Sequence, residues 1–166
     1  MSKSKKFFII FIAGVLLVVL FGFLFQDSLS KNKTSLVSTP PQKIYKSDVL
    51  DFRINVPSSY SVIEDFNVAT ILNNDKSEIT IDKIGTNFIN VEEYVSNLEK
   101  LNDIKFINKD KANIDNYDSI VAFSEDGKEK IYFIYADNRI YTFSTSDLYD
   151  DLDAIVRSFE YIPKNK

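Results

Sequence analysis

Nineteen consecutive residues, Phe7 to Phe25, are all Phe, Ile, Val, Leu, Ala or Gly, and no other feature restricts the chain as strongly. As a helix rising about 1.5 Å per residue, the run spans roughly 28 Å, close to the hydrocarbon thickness of a bilayer. A core helix in a small domain keeps a polar stripe, and this run has none. A transmembrane helix is therefore expected over residues 7–25. Lys3, Lys5 and Lys6 precede it and Asp27 follows, which predicts a cytoplasmic N-terminus (residues 1–6) and an outer location for the chain beyond Gln26. The alternative is a cleaved secretory signal and a secreted product. Against it, the run exceeds the usual apolar region of roughly 7–15 residues, and only Ser28-Leu29-Ser30 stands in for a small-residue cleavage site. A pilin stalk is excluded by Lys6 before Phe7 and by the absence of an acid within the run.

Charge divides at the same place. All 24 acidic residues follow residue 26 and 17 of the 20 basic ones do, so the outer part carries 17 − 24 = −7. Nucleic acid, which demands a basic footprint, is not an expected partner, and a second attachment to anionic lipid through a basic patch is disfavoured. The chain has no cysteine and no histidine. A thiol nucleophile, a lipidated cysteine and a disulfide framework are thereby excluded.

Residues 26–42 are mostly Ser, Lys, Asn, Thr and Pro, ending in Pro40-Pro41, and read as a flexible linker. Asn32-Lys33-Thr34 matches a glycosylation sequon, relevant only to a host with an endoplasmic reticulum. The outer domain is expected over 43–166. Asp51 to Val56 alternates, with Phe52, Ile54 and Val56 on one face, and Pro57 stops it. Tyr60–Glu64, Phe66–Leu72 and Glu78–Ile84 read as further strands, the last two joined by a turn at Asn73-Asn74-Asp75-Lys76. Val91, Tyr94, Val95, Leu98 and Leu101 form one helical stripe, with Asn90 as N-cap and Glu93 at the third helical position. Strands are expected at Ile104–Asn108, Tyr117–Ser124, Lys130–Ala136 and Arg139–Thr145, with hairpin signals at Asp126-Gly127 and Asp137-Asn138. Ile131–Tyr135 is apolar on both faces, as in a strand covered on both sides. Leu148, Leu152, Ile155, Val156 and Phe159 mark a closing helix, and Pro163 bars its continuation. The class expected is α+β: an antiparallel sheet flanked by helices.

This order of elements resembles the PsbP-like family, named for an extrinsic subunit of photosystem II and found in uncharacterised bacterial proteins. The resemblance covers about Tyr45 to Ile162. It rests on Leu50-Asp51-Phe52-Arg53-Ile54-Asn55-Val56-Pro57, on Asn90-Val91-Glu92-Glu93-Tyr94-Val95, on Lys130-Ile131-Tyr132-Phe133 followed by Arg139-Ile140-Tyr141, and on Ile155-Val156-Arg157-Ser158-Phe159-Glu160-Tyr161-Ile162. It implies an α/β/α sandwich and an accessory role beside a larger, often membrane-bound, assembly. It supplies no catalytic motif. A histidine-containing metal site, as in plant members, has no counterpart in a chain without histidine.

Three groups of residues merit testing for chemistry. Asp147, Asp150, Asp151 and Asp153 could offer oxygen ligands to Ca²⁺, but their spacing is not that of an EF-hand loop. At the start of a helix such acids favour the positive end of its dipole, a structural role, with Arg157 near the other end. The nine tyrosines could form a recognition platform, yet Tyr94, Tyr132, Tyr135 and Tyr141 lie on stripe or strand positions that suit packing. Ser-Lys catalysis lacks a S-x-x-K segment in the outer domain, and two of the four glycines lie in the apolar run, leaving no Gly-rich phosphate loop. No catalytic, metal or cofactor residues are assigned, and an enzyme is not expected. The expected function is a membrane-tethered extracytoplasmic accessory or binding module engaging a protein or membrane assembly; the alternative is a small-ligand or cell-wall-polymer binder.

Overall fold

The computed structural model describes residues 40–163. The expected transmembrane run at 7–25, residues 1–6, the sequon and the linker up to residue 39 lie outside that range. No helix among the described residues is long and apolar enough to cross a membrane.

Alternating side chains build the strands. In β2 (Phe52–Pro57) Phe52, Ile54 and Val56 are buried while Arg53 is exposed. β2 pairs antiparallel with β1 (Gln42–Ser47) and with the two-residue β10 (Glu160–Tyr161), making a three-stranded sheet. The larger sheet has seven strands, all antiparallel, in the order β3-β4-β5-β9-β8-β7-β6. These are β3 (Ser61–Asp65), β4 (Val68–Leu72), β5 (Glu78–Gly85), β6 (Ile107–Lys111), β7 (Asp118–Phe123), β8 (Lys130–Ala136) and β9 (Arg139–Thr145). Two meanders, β3–β5 and β6–β9, are joined where β9 pairs with β5.

The turns rely on Asn and Asp in left-handed backbone. Asp137 and Asn138 have φ of 48° and 57° between β8 and β9, the geometry of a two-residue hairpin loop whose twist matches its strands. Gly127, at φ 72°, serves the β7–β8 connection. Asn73 Oδ1 accepts from the N–H groups of Asp75 and Ser77 and holds the β4–β5 turn.

Helix α1 (Val91–Asn102) starts where expected: Asn90 accepts from the N–H of Glu93, and Asp118 on β7 accepts from the N–H of Val91. Asp103, at φ 51°, ends it in left-handed geometry. Because Asn90 satisfies one of the four orphan donors at the helix start, Asn90→Ala is expected to cost about 1 kcal/mol in urea unfolding, with little change on Asn90→Asp. Helix α2 (Tyr149–Val156) buries Leu152, Ile155 and Val156.

The two faces of the large sheet carry separate apolar layers. On one, α1 packs against β7 and β8, with Val91, Val95, Phe106, Ile120, Ile131, Phe133 and Ile140. On the other, α2 packs against β9 and β2, and Phe52, Ile71, Ile81, Ile134, Tyr141, Phe143 and Phe159 meet. As expected, β8 is an interior strand filled on both sides.

Several expectations need correction. The strands form two sheets, because β2 turns away to pair only with β1 and β10. β4 begins at Val68, since Phe66 sits at the hairpin tip with φ 48° and is almost wholly exposed. The strand expected at Ile104–Asn108 lies at Ile107–Lys111. Ile104 N–H still bonds to Glu99 O of the helix end, and Phe106 is drawn into the core, its N–H bonded to Glu99 Oε1. Leu101, expected on the buried stripe, is 73% exposed, beyond the reach of β7 and β8. Leu148 precedes α2 as its N-cap, and Phe159 follows its end.

Candidate functional site

The acidic cluster is dispersed by its partners. Asp147 accepts from the hydroxyl of Thr145, Asp151 from Tyr60 at 2.6 Å, and Asp153 from Lys130 Nζ at 2.6 Å and Tyr132 at 2.8 Å. The bonds to Asp151 and Asp153 fasten α2 to Tyr60, just before β3, and to β8 of the large sheet. No group of three or more acids among the described residues is arranged to hold a metal ion.

The tyrosines are likewise absorbed into structure, with one exception. Tyr45 donates to Glu64, Tyr60 to Asp151, Tyr132 to Asp153, Tyr135 to Asn138, Tyr141 to Leu50 O, Tyr149 to Lys128 O and Tyr161 to Asp137, while Tyr117 accepts from the N–H of Tyr161. Of the nine tyrosine hydroxyls, only that of Tyr94 has no hydrogen-bond partner among the described residues. The Tyr94 ring packs as its stripe position requires, with Phe88 and Phe133 at centroid distances of 6.1 and 6.2 Å.

Tyr94 lines a cleft of about 310 Å³ beside α1, together with Leu98 and Phe106, with Asp82 and Ile84 of β5, Thr142 and Ser144 of β9, Ile131 and Phe133 of β8, and Glu129 just before β8. Strand parity puts these side chains on one face. Asp82 pairs with Thr142 and Thr142 with Phe133; Thr80 pairs with Ser144 and Ser144 with Ile131. Because α1 packs on β7 and β8, the half-sheet β3–β5 keeps Ile63 and Ile84 exposed and Thr70, Thr80 and Asp82 half-buried on this face.

The polar groups of this cleft are unengaged. Among the described residues, the side chains of Asp82, Glu129, Tyr94, Thr142 and Ser144 make no hydrogen bond or ion pair. Lys83, next to Asp82 in sequence, faces the opposite side, where its Nζ donates to Val49 O and lies 3.3 Å from Asp51. Burial pushes the Asp82 carboxyl above the ordinary aspartate range. Tyr94 is raised by burial and, second, by the negative charge of Asp82. In two other clefts, of about 260 and 450 Å³, Lys109 pairs with Glu99, Lys111 with Glu92 and Tyr132 with Asp153, while Arg157 and Asn113 at the larger one make no side-chain hydrogen bond or ion pair among the described residues. Polar side chains converging without partners over an apolar floor are the usual anatomy of a ligand site.

Asp82 therefore works against folding at neutral pH. The folded state holds its proton more tightly than the unfolded chain, so its contribution is favourable below the ordinary aspartate range and is lost as pH rises through the elevated value. We expect Asp82→Asn to be no less stable than wild type at pH 7, and its advantage to shrink toward pH 4. Thermal unfolding across that range checks it.

Nothing in the sequence singles out this constellation. Asp82, Thr142 and Ser144 occupy the polar alternation positions of β5 and β9, which read as ordinary solvent-facing residues. Only the packing of α1 to one side makes them a cleft.

No family model and no curated protein matches the chain. Among solved structures it is similar to a protein from Bacteroides thetaiotaomicron VPI-5482, with a TM-score of 0.54 and 17% identity over 75% of this chain and 50% of that one. The chain thus spans half the length of that protein. It is also similar to the cyanobacterial PsbP (CyanoP) of Synechocystis sp. PCC 6803, with a TM-score of 0.52 and 11% identity over 80% of this chain and 99% of that one. At these identities the likeness concerns the fold alone, and the described domain has a PsbP-like fold.

Proposed function

We propose that the protein is a membrane-tethered, extracytoplasmic binding module that takes a small ligand or polymer segment in the cleft between α1 and strands β5, β9 and β8. The observation that carries the reading is the convergence of Asp82, Glu129, Tyr94, Thr142 and Ser144, unpaired among the described residues, over a floor of Ile131 and Phe133. The tether rests on the apolar run and its flanking charges. Tethering raises the effective concentration of the domain near other membrane components, so modest affinity suffices.

A protein partner is the second reading. It draws on Ile63 and Ile84, which are 57% and 47% exposed on the open half-sheet and could form part of an apolar contact surface.

The absence of cysteine supplies a clean test. Thr142→Cys introduces a single thiol in the cleft, and Ser61→Cys a single thiol on the exposed edge strand. Envelope fractions containing the ligand are expected to slow maleimide labelling at position 142 and not at 61. Equal labelling with every fraction would count against the cleft as the site. For the tether, mass spectrometry of the mature N-terminus should find Met1 or Ser2; a start near Lys31 would replace the anchor with a secreted form.

A further inference from the structure

The cleft also indicates what kind of ligand it accepts. Its side-chain polar groups are carboxylates and hydroxyls, and among the described residues no Lys, Arg, Asn or Gln lines it. The site therefore offers acceptors and negative charge without a cationic donor. An anion would be repelled, and a neutral polyol would leave the half-buried Asp82 charge uncompensated. The two carboxylates stand on different elements. Asp82 is on β5, while Glu129 precedes β8, with β9 between these strands. Thr142 and Phe133 stand in the cross-strand row of Asp82, Ser144 and Ile131 in the next row toward Glu129, and Leu98 of α1 lines the same cleft. A ligand matched to this order has a cationic N–H donor toward each end and hydrocarbon between.

We propose that the cleft binds a linear aliphatic polyamine or diamine, with one ammonium group on Asp82, another on Glu129, and its methylene chain laid over Ile131, Phe133 and Leu98. This rests on the reading of the cleft as the ligand site. Each ammonium–carboxylate contact is a charge-assisted hydrogen bond. The hydroxyls of Thr142 and Ser144 accept the remaining N–H groups, and the ring faces of Tyr94 and Phe133 favour a nearby cation. The negative balance of the chain beyond residue 26 adds long-range attraction for polycations.

The test is calorimetric titration of the full chain in detergent with spermidine. Binding tighter than about 0.1 mM is expected. Asp82→Asn and Glu129→Gln should each weaken it by about tenfold or more, the loss expected of one charge-assisted bond. Asp150→Asn, which removes an exposed acid of α2 away from the cleft, should leave it unchanged and thereby separates a built site from diffuse attraction of a polycation to an acidic protein. Since Asp82 works against folding, its replacement should keep the fold intact, and a melting temperature no lower than that of wild type confirms that the loss is one of binding. No heat at about 1 mM spermidine, or an equal loss in the Asp150 and Asp82 variants, overturns the proposal. If spermidine is silent while a neutral oligosaccharide such as cellotetraose slows labelling of Thr142→Cys, the ligand class is wrong and the cleft still stands as the site. If both are silent and envelope fractions also fail to protect the thiol, the cleft reading falls with it.

Discussion

Phe52→Ala is expected to destabilise the domain by about 4 kcal/mol, enough to lower the unfolding midpoint by about 10–15 °C. Phe52 has no exposed surface and stands in the middle strand of the small sheet, where it faces the large one. Its ring centroid lies 6.2 Å from Tyr45, 6.0 Å from Tyr141, 6.2 Å from Phe143 and 6.0 Å from Phe159. The rings come from β1, β9 and the segment after α2, so truncation opens a cavity that no single element can close. The loss combines the transfer free energy of the ring with that of the void. Phe52→Leu should cost markedly less, because most of the volume is kept. Ile44→Ala on β1, at a position 71% exposed, should cost within about 0.5 kcal/mol. Urea unfolding with an unchanged m-value checks the series. A cost below about 1.5 kcal/mol for Phe52→Ala would mean that the two sheets do not depend on this aromatic contact.

The second large effect concerns Lys83 and Asp51. Their side chains are 14% and 4% exposed and lie 3.3 Å apart, and Lys83 Nζ also donates to Val49 O. The pair ties β5 of the large sheet to the loop that opens β2, next to the bond from Tyr141 to Leu50 O. Removing the cation takes the ion-pair partner at 3.3 Å from a carboxylate that is 4% exposed, and Lys83→Met is expected to cost about 3 kcal/mol. The double variant Lys83→Met/Asp51→Asn should recover much of that loss, since the buried charge goes with its counter-ion and Asn tolerates the left-handed φ of 61° at position 51. A double-mutant cycle with strictly additive single effects would show that the two groups do not interact.

Both predictions concern contacts distant in sequence, and that is where reading the chain alone met its limit. β2, β8 and β9 were legible because burial on fixed faces imposes a two-residue period, and the α1 start because Asn90 caps it locally. The Asp137-Asn138 turn was legible because its geometry depends on those two residues. β1 was not: Gln42, Lys43, Ile44 and Lys46 are all exposed, so no alternation marks an edge strand held by its ladder to β2. β10 is only two residues long and exists through its pairing with Arg53 and Phe52. The displacement of β6 follows from the helix end, where Glu99 gathers the N–H groups of Ile104 and Phe106 and the Lys109 ammonium.

The site divides in the same way. By itself, the sequence determined an apolar run of bilayer length with basic residues before it, a net negative charge beyond residue 26, the absence of thiol and imidazole chemistry, and a β-rich fold with two helices. Each of these is a property of composition or of local period. The tertiary structure alone decided which polar groups are already spent. The acids from Asp147 to Asp153 are conspicuous in sequence, yet Tyr60, Lys130 and Tyr132 reach two of them, Asp151 and Asp153, from elsewhere in the chain. Asp82 is inconspicuous, yet α1 packs beside it without supplying a partner, and neighbouring Lys83 points through the sheet to Asp51. Whether a carboxylate is neutralised depends on what folding brings within about 4 Å of it, and no local pattern in the chain encodes that.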